Sequence, residues 1–65
     1  MSERNELKAA VTRTLQSEFE TPDHMLILAL MNACAYAHAF PEKVPMRDQK
    51  VLREGYRKLH ETGSL

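Results

Sequence analysis

Two residues, Cys34 and His38, have the types and the spacing that could do chemistry. They are four positions apart, so in a helix they share one face. Two copies of the chain would bring two cysteines and two histidines together, a ligand set that tetrahedral zinc accepts. A lone C-x-x-x-H pattern lacks the paired cysteines of a specific zinc motif, and a buried thiol near a histidine is the commoner situation. We therefore expect no metal or other cofactor and keep zinc as the alternative.

The same pair could act as nucleophile and base, but a nucleophilic cysteine needs an exposed, activated thiolate. Cys34 instead lies within "MLILALMNACAYAHAF", residues 25–40, where only Asn32 and His38 are polar. The sequence has no Gly-rich phosphate loop, and a chain of 65 residues has little room for a pocket that excludes water. The sequence therefore predicts a protein that is not an enzyme.

The helical periodicity of the sequence predicts an all-α fold. The chain should form a single domain over residues 1–65 with three helices. Apolar residues recur every four positions from Leu7 to Phe19, which predicts helix 1 over about 3–20 with Ser2 as its cap. In "TPDH", Thr21 can cap helix 2 and Pro22 suits its first position. Helix 2 should therefore cover about 22–40.

Two prolines and a glycine delimit the last part of the chain. Pro41 disfavours helical geometry in the residue before it, and Pro45 can open helix 3. Helix 3 should cover about 45–61, with Gly63 supplying the left-handed residue that follows a helix. Gly55 lies on its apolar side, which suggests close approach of a neighbouring backbone, with loose packing as the alternative.

Charge is balanced overall but uneven along the chain. Residues 1–23 carry a net charge of minus two, and residues 42–61 carry plus two. This difference favours packing of helix 1 against helix 3, although exposed ion pairs contribute only about 0–1 kcal/mol each. The first twenty residues are charged throughout and lack the apolar run of a secretory signal, so we expect a cytoplasmic protein.

Helix 2 is apolar on every side, so either protein or lipid must enclose it. The apolar run of sixteen residues is short of the ~20 that a membrane span needs, and two amphipathic helices flank it. We expect a central helix 2 in a homodimeric helical bundle, with no membrane insertion. The predicted dimer or core interface comprises Leu26, Leu30, Ala33, Ala37 and Phe40. A self-sufficient monomeric bundle is the alternative.

Helix 3 offers the best surface for a partner, because basic residues and a tyrosine lie on its outer side. The candidate partner-binding residues are Arg47, Lys50, Arg53, Tyr56 and Arg57. Such a stripe can contact an acidic protein surface or phosphates. The sequence thus favours a dimeric accessory protein, regulator or inhibitor that binds another protein. The alternative is a nucleic-acid-binding regulator that uses the basic face of helix 3.

Overall fold

Three α-helices pack around one core in the computed structural model of the chain, which describes residues 3–65. Helix α1 spans Glu3–Leu15, α2 spans Leu26–Ala39 and α3 spans Met46–Thr62, with 3₁₀ turns at Asp23–Met25 and Pro41–Lys43. Each helix packs against the other two, and residues 3–65 contain no strand. The predicted all-helical fold with three packed helices is confirmed for these residues; the proposed Ser2 cap lies outside them.

The core is built from aliphatic side chains of all three helices and of the segment before α3. Its buried members are Leu7, Ala10, Val11, Leu26, Leu30, Ala33, Val44 and Leu52. On α1 and α2 they recur at helical spacings of three and four, because only one face of each helix can point inward. No helix in the described part of the chain is both long enough and apolar enough to cross a lipid bilayer.

Helix α1 ends five residues earlier than predicted, at Leu15 rather than residue 20. Gln16 takes a left-handed conformation with φ of 54°. The Ser17 N–H donates to the Thr12 carbonyl at 3.1 Å and the Gln16 N–H donates to the Arg13 carbonyl at 3.2 Å, which is the Schellman pattern that closes a helix. Phe19 is therefore not on the buried face of α1 but 79% exposed beyond its end.

The start of α2 also differs from the prediction. Pro22 is extended, with ψ of 150°, and precedes a 3₁₀ turn instead of opening the α-helix, which begins at Leu26. No side-chain hydrogen bond caps either the turn or the helix. At the other end, Phe40 has left helical geometry directly before Pro41, as expected from the restriction that proline places on its predecessor.

Both glycines lie on or next to α3, and each has a physical reason to be there. Gly63 has φ of 76°, and its N–H donates to the Leu59 carbonyl at 2.8 Å, so the predicted left-handed stop is confirmed. A Cβ at Gly55 would lie 2.8 Å from Cδ1 of Leu7. The close neighbour of Gly55 is therefore a core side chain and not the backbone we expected.

Ion pairs join α1 to α3, but the most buried one has the polarity opposite to that expected. Glu3 and Lys58 are 3.6 Å apart, with the acid on α1 and the base on α3 as the charge distribution predicts. Arg13 of α1, however, donates from Nη2 to Oδ1 of Asp48 at 2.7 Å and from Nε to Oδ2 at 3.1 Å. The Asp48 side chain is 3% exposed and that of Arg13 is 51% exposed.

Candidate interaction surfaces

Cys34 and His38 lie on the same side of α2, as their spacing requires, but in different environments. Cys34 is half-buried, and its Sγ lies 3.8 Å from the Leu52 carbonyl, to which the thiol can donate. Burial raises the pKa of the Cys34 thiol, so it stays protonated at neutral pH. His38 is exposed. In this arrangement the sulfur is a weak hydrogen-bond donor rather than an activated nucleophile.

Metal binding would need more ligands than one copy of this pair supplies. Among residues 3–65 no group of three or more His, Cys, Asp or Glu side chains is arranged to hold a metal ion. Cys34 and His38 supply two ligands at most, whereas structural zinc takes four. A zinc site would therefore require a second copy of the chain.

The outward side of α2 carries large apolar side chains. Ile27 is 44% exposed, Leu28 57% and Met31 50%. Leu28, Met31 and the exposed Ala35 follow one another at spacings of three and four, which is the repeat of a coiled-coil seam. We call Ile27, Leu28, Met31 and Ala35 the outward face of α2. It is a strip about two turns long with no acidic or basic residue among its members.

The predicted interface residues of α2 divide between core and surface. Leu26, Leu30 and Ala33 are buried inside the bundle against α1 and α3, Ala37 is partly buried, and Phe40 is 43% exposed. The outward face was not in the predicted set, because an apolar run of this density does not indicate which side faces inward. The spacing gave no signal either, because the buried Leu26, Leu30 and Ala33 follow the same three-and-four repeat as the exposed residues of the outward face.

A groove of about 400 Å³ runs between α2 and α3, and we call it the α2–α3 groove. Its lining residues are Cys34, Ala37 and His38 of α2, Pro41, and Gln49, Leu52, Arg53 and Tyr56 of α3. Small side chains on α2 leave space above Leu52, and this gives the groove an apolar floor. Nε2 of Gln49 donates to the carbonyls of Pro41 and Val44 at 2.8 and 2.9 Å, which fixes the end of the groove nearest the start of α3.

The five predicted partner-binding residues of α3 are all exposed, but they do not form one site. Arg53 and Tyr56 line the α2–α3 groove, and the Tyr56 ring lies 4.6 Å from that of His60. Arg57 lies on the side of α3 nearer α1, where it pairs with Glu61 at 3.8 Å. Arg47 and Lys50 lie outside the groove lining. The structure thus brings two of the five together in a concave setting.

Hydrogen bonding from Arg13 lowers the pKa of Asp48, and this effect outweighs burial, which alone would raise it. The same hydrogen bond raises the pKa of Arg13. Asp48 is therefore ionised at neutral pH and serves to join α1 to α3. The Arg13–Asp48 pair thus helps to hold α1 against α3 and is not part of the outward face of α2 or of the α2–α3 groove.

These features define a class, a small three-helix bundle with an apolar outward face on α2 and a groove between α2 and α3 that has basic residues at its rim. Comparison with protein-family models, with curated proteins and with solved structures finds no match to this chain. Its function is therefore inferred from its own residues and geometry.

Proposed function

We propose that the chain is a non-enzymatic protein-interaction module. In this proposal it forms a homodimer through the outward face of α2, and the dimer acts in the cytoplasm as an accessory protein, regulator or inhibitor of another protein. The observation that carries the proposal is the exposure of Ile27, Leu28 and Met31 on one side of a helix whose other side builds the core.

Burial of the outward face would add to the stability of a domain whose own core is limited by its chain length. A chain of 65 residues buries only about 60% of the surface that its unfolded form exposes. Covering the exposed half of a large aliphatic side chain gains on the order of 1 kcal/mol. A second copy offers the same strip, so each apolar side chain of one subunit meets another across a two-fold axis.

The spacing on the outward face suits helix-to-helix pairing. Residues at alternating intervals of three and four stay on the seam of two helices that cross at a shallow angle. Ala35 is small, which lets the two α2 helices approach closely at that level. Tyr36 and Phe40, with ring centroids 5.2 Å apart, lie at the end of α2, where Tyr36 packs against the core. Cys34 and His38 follow Met31 at helical spacings of three and seven, so this seam would run along the α2 edge of the α2–α3 groove.

The test is the mass of the protein in solution, measured by sedimentation equilibrium at roughly micromolar concentration. We expect twice the chain mass of 7.5 kDa. Leu28→Gln should shift the equilibrium to monomer by at least about tenfold in the dissociation constant. Met46→Gln is the matched control, because Met46 is an exposed apolar residue on α3 rather than on α2, and it should leave the mass unchanged. A wild-type chain that stays monomeric, or a Leu28→Gln variant that dimerises normally, contradicts the proposal.

Nucleic-acid binding is the second candidate function. It is favoured by the exposed basic residues Lys50, Arg53 and Arg57, which recur at spacings of three and four on α3. A phosphate-binding surface should retain duplex or single-stranded DNA or RNA at low salt and lose affinity steeply as salt rises. Absence of binding at low salt would eliminate this candidate.

A further inference from the structure

We infer that the α2–α3 groove binds an acidic amphipathic segment of a partner protein, which inserts an apolar side chain between α2 and α3. This inference deepens the proposed function and rests on its interaction role, but it does not require the homodimer. The groove and the outward face of α2 are adjacent but share no residue, so each can be changed by its own substitution while the mass of the protein is followed in parallel.

The floor of the groove is apolar because its polar atoms already have partners within the chain. The Cys34 thiol faces the Leu52 carbonyl, and the Gln49 amide is occupied by two backbone carbonyls. Ala37 and Leu52 contribute hydrocarbon surface between them. An incoming aliphatic or aromatic side chain would therefore displace water without leaving a buried polar group of the floor unpaired.

The rim of the groove is basic. His38 stands on the α2 side and Arg53 on the α3 side, and no acidic residue is among the described residues that line the groove. Lys43 extends the basic character at the Pro41 end, where its Nζ lies 5.3 Å from the centroid of the Phe40 ring. Three acids are sequence neighbours of lining residues, namely Glu42 beside Pro41, Asp48 beside Gln49 and Glu54 beside Arg53, but none of them belongs to the lining, and Asp48 is paired with Arg13. A carboxylate beside an apolar anchor would meet the positive charge of Arg53 on the α3 side and the imidazole of His38 on the α2 side.

The open position of the groove at the surface, rather than its volume, favours a peptide segment over a small molecule. A volume of about 400 Å³ is near the lower end of the range of ligand pockets, and the groove lies at the surface between two helices. Helices commonly bind in such grooves by inserting side chains at intervals of three and four residues. The segment that fits is therefore one turn or more of helix with leucine-like anchors and glutamate or aspartate neighbours.

The apolar floor also distinguishes a protein partner from nucleic acid. Phosphates need cations and hydrogen-bond donors, and the floor offers neither in free form. Nucleic acid would instead contact Lys50, Arg53 and Arg57 along the exposed side of α3, where Glu61 already neutralises Arg57 in part. The groove itself is complementary to a chain that combines acid with hydrocarbon.

The experiment measures binding of three synthetic amphipathic helical peptides by fluorescence anisotropy. The first carries leucine anchors flanked by glutamates, the second replaces the glutamates by lysines, and the third replaces the leucines by alanines. We expect the first to bind at least about tenfold more tightly than either of the others. Amide chemical-shift changes in ¹⁵N-labelled protein should then centre on Ala37, Arg53 and Tyr56, and alkylation of Cys34 should slow.

The variant Arg53→Glu should weaken the acidic peptide at least about tenfold, because it reverses the charge at the rim. Arg4→Glu makes the same charge change at an exposed position on α1 and should leave affinity within about twofold. Three outcomes would each overturn the inference. The acidic and basic peptides could bind with equal affinity, or the chemical-shift changes could centre on Leu28 and Met31. Single-stranded DNA could also displace the acidic peptide at equal concentration. The mass of the same samples reports separately on the dimer.

Discussion

Replacing Arg13 by methionine should destabilise the domain more than replacing its partner Asp48 by asparagine. Methionine keeps most of the hydrocarbon of arginine but leaves a carboxylate, 3% exposed, without its counter-charge. Asparagine keeps the shape of aspartate and leaves a guanidinium that is 51% exposed and can turn to water. The two variants break the same ion pair, so any difference between them measures the cost of the charge that remains.

The magnitudes follow from these exposures. Leaving a buried charge unpaired costs about 3–5 kcal/mol, and we expect about 3 for Arg13→Met because water can reach the outer side of the pair. Asp48→Asn loses charge-assisted hydrogen bonds but leaves no buried charge unpaired, so we expect the unfolding free energy to fall by about 1–2 kcal/mol. Arg57→Met is the control, since it removes the exposed pair with Glu61 and should cost less than about 0.5 kcal/mol.

The dependence on pH separates the two variants further. In the wild type the pKa of Asp48 lies below its usual value, so the stability from this pair is complete above the unfolded pKa of about 3.9 and is lost as pH falls through the lower folded pKa. Without Arg13, burial should raise the pKa of Asp48. The penalty in Arg13→Met is then present at neutral pH and shrinks as pH falls through the raised pKa toward about 4.

The assay is urea denaturation followed by circular dichroism at about pH 7 and about pH 4.5. The difference in unfolding free energy between wild type and Arg13→Met should become smaller at the lower pH, whereas the difference for Asp48→Asn should stay constant. Two results would refute the conclusion that Asp48 is a buried, ionised partner of Arg13. The two variants could lose equal unfolding free energy at neutral pH, or the loss for Arg13→Met could be the same at both pH values.

Two further predictions concern the backbone and a buried hydroxyl. Gly63→Ala should lower the unfolding free energy by about 1 kcal/mol, because φ is 76° at this position. Gln16→Gly should leave the unfolding free energy unchanged or raise it by up to about 1 kcal/mol, because φ is 54° there. Thermal melts compare the two variants, and a loss of stability in Gln16→Gly would contradict the role given to the left-handed conformation of Gln16. Thr14→Val should stabilise the fold by about 1 kcal/mol, since the buried Oγ1 of Thr14 has no hydrogen-bond partner in the described part of the chain. A denaturation midpoint below that of wild type would show that the hydroxyl is satisfied.

The helical character of the chain could be predicted from sequence because proline, glycine and apolar spacing act locally. Gly63 and Pro41 stop helices for reasons contained within a few residues. The end of α1 could not be predicted in this way, since Gln16 has no particular preference for a left-handed conformation and the four-residue spacing continues to Phe19. The closing hydrogen bonds to Thr12 and Arg13, and not the apolar pattern, decide where the helix ends.

The orientation of α2 and the pairing of Arg13 with Asp48 depend on contacts between distant parts of the chain. Ile27 and Leu30 are equally apolar, and only the positions of α1 and α3 make one exposed and the other buried. Arg13 and Asp48 are 35 residues apart, so no local pattern joins them. The groove could be predicted only in part, because Arg53 and Tyr56 were recognised as surface residues but their approach to Cys34 and His38 requires the packing of α2 on α3.

The early end of α1 divides the architecture into a single helix and a helical hairpin, joined by a stretch in which no residue from 16 to 25 is buried. Salt bridges from Lys8 to Asp23 and Glu20 hold this stretch against α1. A protease that cut beside Phe19 would sever the chain without removing any side chain of the core. The two fragments would retain complementary surfaces for reassembly, so this junction is the natural point for a split-protein reporter or an inserted tag.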